Sequence, residues 1–141
     1  MSVMSHNGID FTATSVSRGA LWSGRVMSGI VIAFLLFDGA MKLMPLDIVT
    51  TTAQQMAIPL DIIRTLGILT LVGTVLYAYP RTAVLGAIFL TGYLGGAIYA
   101  HFRLDDPLFT HTLFGVYLGV LIWGGLYLRD PRVRALIPFR A

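Results

Sequence analysis

Four stretches of the chain are apolar all round, with no polar stripe: Trp22 to Leu43, Ile62 to Tyr79, Thr82 to Ala100 and Leu108 to Leu128. A helix on the surface of a soluble protein keeps a polar face at a 3.6-residue period, and these do not. Each is long enough to cross a hydrocarbon core of about 30 Å at about 1.5 Å per residue. In lipid a segment must satisfy its own backbone hydrogen bonds, which selects the helix. The pattern predicts helices over about 22–43, 61–79, 81–101 and 107–128. The expected fold is all-α, an integral membrane four-helix bundle, antiparallel, forming one domain over 22–141.

The residues between the runs agree. Pro45 follows the first run, where a helix cannot continue. Pro59 lies at the start of the second, and Asp61 falls in its first turn, where negative charge suits the helix dipole. Tyr79-Pro80-Arg81 is short enough to force an antiparallel hairpin. Asp106-Pro107 reads as an N-cap followed by Pro at the first helical position. The link over 44–60 is longer and holds Thr50, Thr51, Thr52, Gln54 and Gln55; a short surface helix and an irregular path both fit it. Residues 1–21 are polar and Ser/Thr-rich without the pattern of a cleaved signal, and are expected to form a flexible tail.

Composition reinforces the membrane reading. Apolar residues make up 56% of the 141 and charged residues 12%, against about 25% charged in soluble domains. Cys is absent, which removes disulfides, thiolate metal sites and thiol relays. Basic residues are unevenly placed. Four crossings put Arg18, Arg25, Arg81, Arg129, Arg132, Arg134 and Arg140 on one side, with Asp10 and Asp130. Lys42, Arg64 and Arg103 fall on the other, with Asp38, Asp47, Asp61, Asp105 and Asp106. The positive-inside rule then places both termini in the cytoplasm. The basic excess is a topology signal facing lipid headgroups, and no nucleic-acid partner is expected.

Gly92 and Gly96 in the third run, and Gly115 and Gly119 in the fourth, repeat at four-residue spacing, with Gly67 and Gly73 in the second. Small residues let helices approach closely in lipid. Packing within one bundle and a homo-oligomer face both fit this spacing.

Several stretches resemble the DoxX-like family of small four-helix bacterial membrane proteins. They are Phe37-Asp38-Gly39-Ala40-Met41-Lys42-Leu43, Pro80-Arg81-Thr82-Ala83-Val84-Leu85-Gly86-Ala87 and Thr91-Gly92-Tyr93-Leu94-Gly95-Gly96-Ala97 with His101. Asp106-Pro107-Leu108-Phe109-Thr110-His111, Trp123 to Arg132 and Arg134 to Pro138 continue the likeness, which runs from about Arg25 to the C-terminus. The resemblance implies a multi-pass protein of the bacterial inner membrane. It also implies an accessory or redox-linked role, as a possible redox-complex subunit, with a quinone as the candidate ligand. It carries over no catalytic residues.

Function must then be sought in the polar side chains. Asp38 and Lys42 are four apart, on one helix face. Arg64 lies one turn into the second helix near Asp61, His101 ends the third and His111 opens the fourth. An antiparallel bundle brings all of these to one depth, at its extracytoplasmic end. Ionisable groups inside a membrane are costly and point to function, although Lys42 could snorkel and each His could simply anchor a helix end.

One reading is a pocket for a small, mostly apolar molecule such as a quinone. Its walls would be Phe34, Phe37, Tyr93, Tyr99, Phe114 and Tyr117, with His101, His111 or Arg64 bonding a carbonyl oxygen. A metal site from His101, His111 and Asp38 has the donor types but weak spacing, and no stoichiometric metal is expected. The alternative is a non-catalytic anchor or assembly protein. A small-molecule transporter fits less well, because the inner half of the bundle offers no polar path.

Overall fold

A computed structural model describes residues 16–137. Asp10 and Arg140, which enter the charge count, and most of the expected N-terminal tail lie outside them. The described chain is helical, with no strands among the described residues. Its elements are α1 (Arg18–Leu43), α2 (Asp47–Gln55), α3 (Leu60–Ala78), α4 (Ala83–Arg103), a π-helical turn (Leu108–Thr112), α5 (Phe114–Arg129) and α6 (Pro131–Leu136). Four spans, Arg18–Leu43, Leu60–Ala78, Ala83–Arg103 and Leu108–Arg129, are long and apolar enough to cross a membrane. They form a ring in which α1 packs on α3 and α5, and α4 packs on α3 and α5, leaving α1 and α4 on a diagonal. The distal end holds α2 and the 104–107 link; the proximal end holds the start of α1, the Tyr79–Thr82 turn and α6.

Local chemistry sets the boundaries. α1 starts ahead of its apolar run because the Ser17 hydroxyl accepts from the Ala20 N–H at 3.2 Å. It stops at Met44, which is extended ahead of Pro45. The long link resolves into α2, whose Asp47 occupies the first turn. The α3–α4 hairpin is closed by the Thr82 hydroxyl, which donates to the Leu76 carbonyl at 2.7 Å.

Close approach of α1 to its neighbours rests on two glycine pairs. A Cβ on Gly24 would stand 2.8 Å from the Gly125 carbonyl oxygen of α5. One on Gly67 of α3 would stand 3.0 Å from the Gly39 carbonyl oxygen. Such backbone contact supplies the packing that lipid does not drive hydrophobically. Gly92, Gly96 and Gly119 are different: a Cβ on any of them would meet nothing within 4 Å. Of the two readings of the third helix's four-residue glycine spacing, packing inside the bundle is therefore the one corrected. Of Gly115 and Gly119 on the fourth helix, Gly115 alone packs, against Ile98.

The core fills the proximal and middle bundle with Val31, Leu35, Leu90, Ile122 and Leu126 around a fully buried Tyr77. The Tyr77 hydroxyl donates to the Ile122 carbonyl at 2.9 Å and accepts from the Ser28 hydroxyl at 2.9 Å. This ties α1, α3 and α5 together and satisfies both hydroxyls. The Arg129 guanidinium lies 5.3 Å from the Tyr77 ring centre, and its buried Nε and Nη2 have no hydrogen-bond partner among the described residues. The opposite faces are apolar and outward: Trp22, Phe37, Tyr99, Phe102 and Phe109 are all exposed. A surface this apolar belongs in a bilayer.

Candidate functional site

The distal half is not filled as the proximal half is. A cleft of about 690 Å³ lies between α1, α3 and α4 and is roofed by α2. Phe34, Phe37 and Met41 line it from α1, and Ile63, Leu66 and Leu69 from α3. Gly92, Gly96, Ala97 and Ala100 line it from α4. Because these four α4 residues are so small, space remains where larger side chains would close the bundle. Gly92, Gly96 and Phe37 stay exposed, so the cleft opens sideways between α1 and α4.

Its polar groups gather toward the distal end. The helical spacing of Asp38 and Lys42 delivers the expected pair: the Lys42 ammonium donates to Asp38 Oδ2, with both side chains partly buried. Lys42 also lies 5.9 Å from the ring centre of Tyr93 on α4, a cation–π contact across the cleft. His101 completes the group from the last turn of α4. Its Nδ1 is 2.7 Å from Asp106 Oδ2. The turn between them is tight, with Asp105 at φ 55° and the Asp106 N–H donating to the His101 carbonyl at 3.2 Å.

The fold thus brings Asp38, Lys42, Tyr93 and His101 to one cleft and leaves the other expected residues aside. Arg64 is exposed, borders a smaller recess beside Met44 and Thr50, and has no ion pair with Asp61. That recess shares Lys42, Val49 and Ile63 with the cleft, but Arg64 does not line the cleft itself. His111 is exposed, with Nδ1 2.8 Å from the Thr110 hydroxyl and its ring 6.0 Å from that of His101. Tyr117 donates to the Phe109 carbonyl at 3.0 Å, holding the π-helical turn. Phe114 packs edge-on against Phe34 at 5.2 Å, behind the wall, and Tyr99 faces outward. Among the described residues no three His or Asp side chains are grouped to hold a metal ion.

Two contributors escaped the sequence. Asp106, expected to cap the following helix, makes no such cap; Pro107 precedes the π-helical turn and the carboxylate turns back to His101. Ile48, Val49 and Thr52 of α2, with Met56 and Ile58 after it, form the roof. The apolar positions of α2 were the available signal, obscured by its many Thr and Gln residues.

A bundle of four apolar spans with polar groups collected in one lateral cleft defines a multi-pass membrane protein. The chain belongs to the DoxX-like family, whose model matches residues 26–125. The match ends at Gly125, short of the C-terminal stretch in which the resemblance was also expected. Curated proteins and solved structures offer no match to this chain.

Proposed function

We propose that this protein binds a small, mostly apolar molecule such as a quinone in its distal cleft, as an accessory or redox-linked component of the bacterial inner membrane. Both termini are cytoplasmic in this reading, and the cleft faces the extracytoplasmic leaflet. The observation that carries it is the cleft itself: about 690 Å³, walled by Phe34, Phe37, Leu66, Leu69 and Tyr93, with Asp38, Lys42 and His101 at one end. Small-molecule sites have about this size and this mixture of apolar wall and few polar groups. An opening between α1 and α4 suits a ligand that arrives through lipid. Transport gains no support, because Val31, Leu35, Tyr77 and Ile122 fill the proximal half.

The test is native mass spectrometry with lipid extraction on gently solubilised protein, wild type beside Gly96→Phe. A bound apolar molecule is expected on the wild type and missing from the variant, whose new ring fills the cleft. Identical extracts from the two proteins overturn the reading.

A further inference from the structure

We propose that the cleft selects ligands bearing a hydroxyl hydrogen, a phenol or hydroquinone head rather than a carbonyl-only or ether head, through His101 Nε2 held as an acceptor by Asp106. This rests on the reading of the cleft as a small-molecule site and narrows it: of a quinone couple, the reduced hydroquinone is the form the cleft prefers.

The argument starts from proton inventory. An ionised carboxylate only accepts hydrogen bonds, and a neutral imidazole carries one hydrogen on one of its two nitrogens. With the ring neutral and the carboxylate ionised, the 2.7 Å contact of His101 Nδ1 with Asp106 Oδ2 puts that hydrogen on Nδ1. Nε2 is left as a bare lone pair, and no described group bonds to it. His101 lines the cleft, among Ala97, Ala100 and Tyr93. A bare acceptor beside an apolar space is satisfied by a ligand that brings a donor. A carbonyl or ether oxygen brings only another lone pair.

The surrounding charges support this assignment. Facing His101 are Asp106 and His111 from the 104–112 segment, and Asp38, Lys42 and Tyr93 share the cleft. Lys42 is already engaged by Asp38 and by the Tyr93 ring, so its charge is compensated within that wall. His111 has its Nδ1 on Thr110 and stands outside the cleft lining. Asp38 is committed to Lys42 through Oδ2, and Nε2 of His101 is the uncharged acceptor on the α4 wall. Asp106 acts here as a positioning residue: it does not line the cleft, but sets which ring nitrogen carries the hydrogen.

Two probes isolate the donor. 4-Decylphenol and its methyl ether, 4-decylanisole, share an apolar body and differ in the hydroxyl hydrogen. Each is titrated calorimetrically into the full chain in phosphatidylcholine nanodiscs, with empty discs as the partition control. The phenol is expected to bind roughly tenfold more tightly than the ether, the value of one hydrogen bond. The ratio falls toward one in His101→Leu. It also falls in Asp106→Ala and returns in Asp106→Glu, a rescue that a purely structural role for Asp106 does not predict. Equal affinities in the wild type, or a phenol preference that survives both His101→Leu and Asp106→Ala, overturn the inference and leave the cleft reading standing. Failure of both probes to exceed the empty discs overturns the two together.

Discussion

Lys42 on α1 places its ammonium 5.9 Å from the ring centre of Tyr93 on α4, so the ion pair with Asp38 reaches the opposite wall of the cleft. α1 and α4 lie on a diagonal of the bundle, and this contact links them across a space that backbone packing does not close. Charge, aromatic ring and apolar cleft thereby form one unit, and its parts can be tested separately.

Removing one member of the pair leaves the other partly buried and alone. With side chains 23% and 32% exposed, the pair stands between a surface bridge and a buried one. Asp38→Ala is expected to cost about 1–3 kcal/mol in detergent, while Asp47→Ala on exposed α2 costs under about 0.5 kcal/mol. The double variant Asp38→Leu with Lys42→Met should cost less than Asp38→Ala, because no unpaired charge remains. Thermal melts of the three check the order, and equal melting temperatures for Asp38→Ala and the wild type would show that the pair is unimportant to folding.

Glycines of the same type should behave in opposite ways. Gly24→Ala drives a methyl into the Gly125 carbonyl, Arg129 backbone and Leu128 of α5, and is expected to cost about 1–3 kcal/mol through overpacking. Gly96→Leu has open space before it and should leave the melting temperature near that of the wild type while weakening binding of an apolar probe. A large destabilisation by Gly96→Leu would mean that α4 closes onto another helix there.

The Tyr77 hydroxyl joins three helices, and its loss should be felt at once. Tyr77→Phe removes the hydrogen bonds to the Ile122 carbonyl and the Ser28 hydroxyl in the core, at a cost of about 1–3 kcal/mol. Adding Ser28→Ala should then cost less than Ser28→Ala does alone, since one bond is removed in either case. A double-mutant cycle measures this coupling. Strict additivity would indicate that the two hydroxyls are not bonded.

The proposed orientation rests on the basic residues and can be read with reporters. A reporter active only outside the cytoplasm should work when inserted near Gln54 in α2 and fail when fused after Ala141. The reverse pattern would turn the cleft toward the cytoplasm.

Much of the fold was legible because lipid imposes a simple rule. A helix that must bury its backbone polar groups without water needs a long apolar run, and the four spans show that run residue by residue. The Asp38–Lys42 pair was legible for a similar reason, since one turn of helix fixes the distance between positions four apart. The His101–Asp106 pair was not. It forms across a turn that leaves the helix, through a positive φ at Asp105 that no period reports. Arg64, His111 and Tyr117 share the expected depth but differ in direction, and depth is what a helix-order argument supplies.

By itself, then, the sequence determined the solvent, the number of spans and the Asp38–Lys42 pair within a single helix, because each depends on local spacing along the chain. The tertiary structure alone decided which glycines touch backbone and which border open space, that α2 roofs the cleft, and that Asp106 turns to His101 instead of capping a helix. Those outcomes depend on the rotation of each helix about its axis and on where neighbouring helices part. Both are set by packing between segments distant in the chain, and apolarity all round a helix leaves them unspecified.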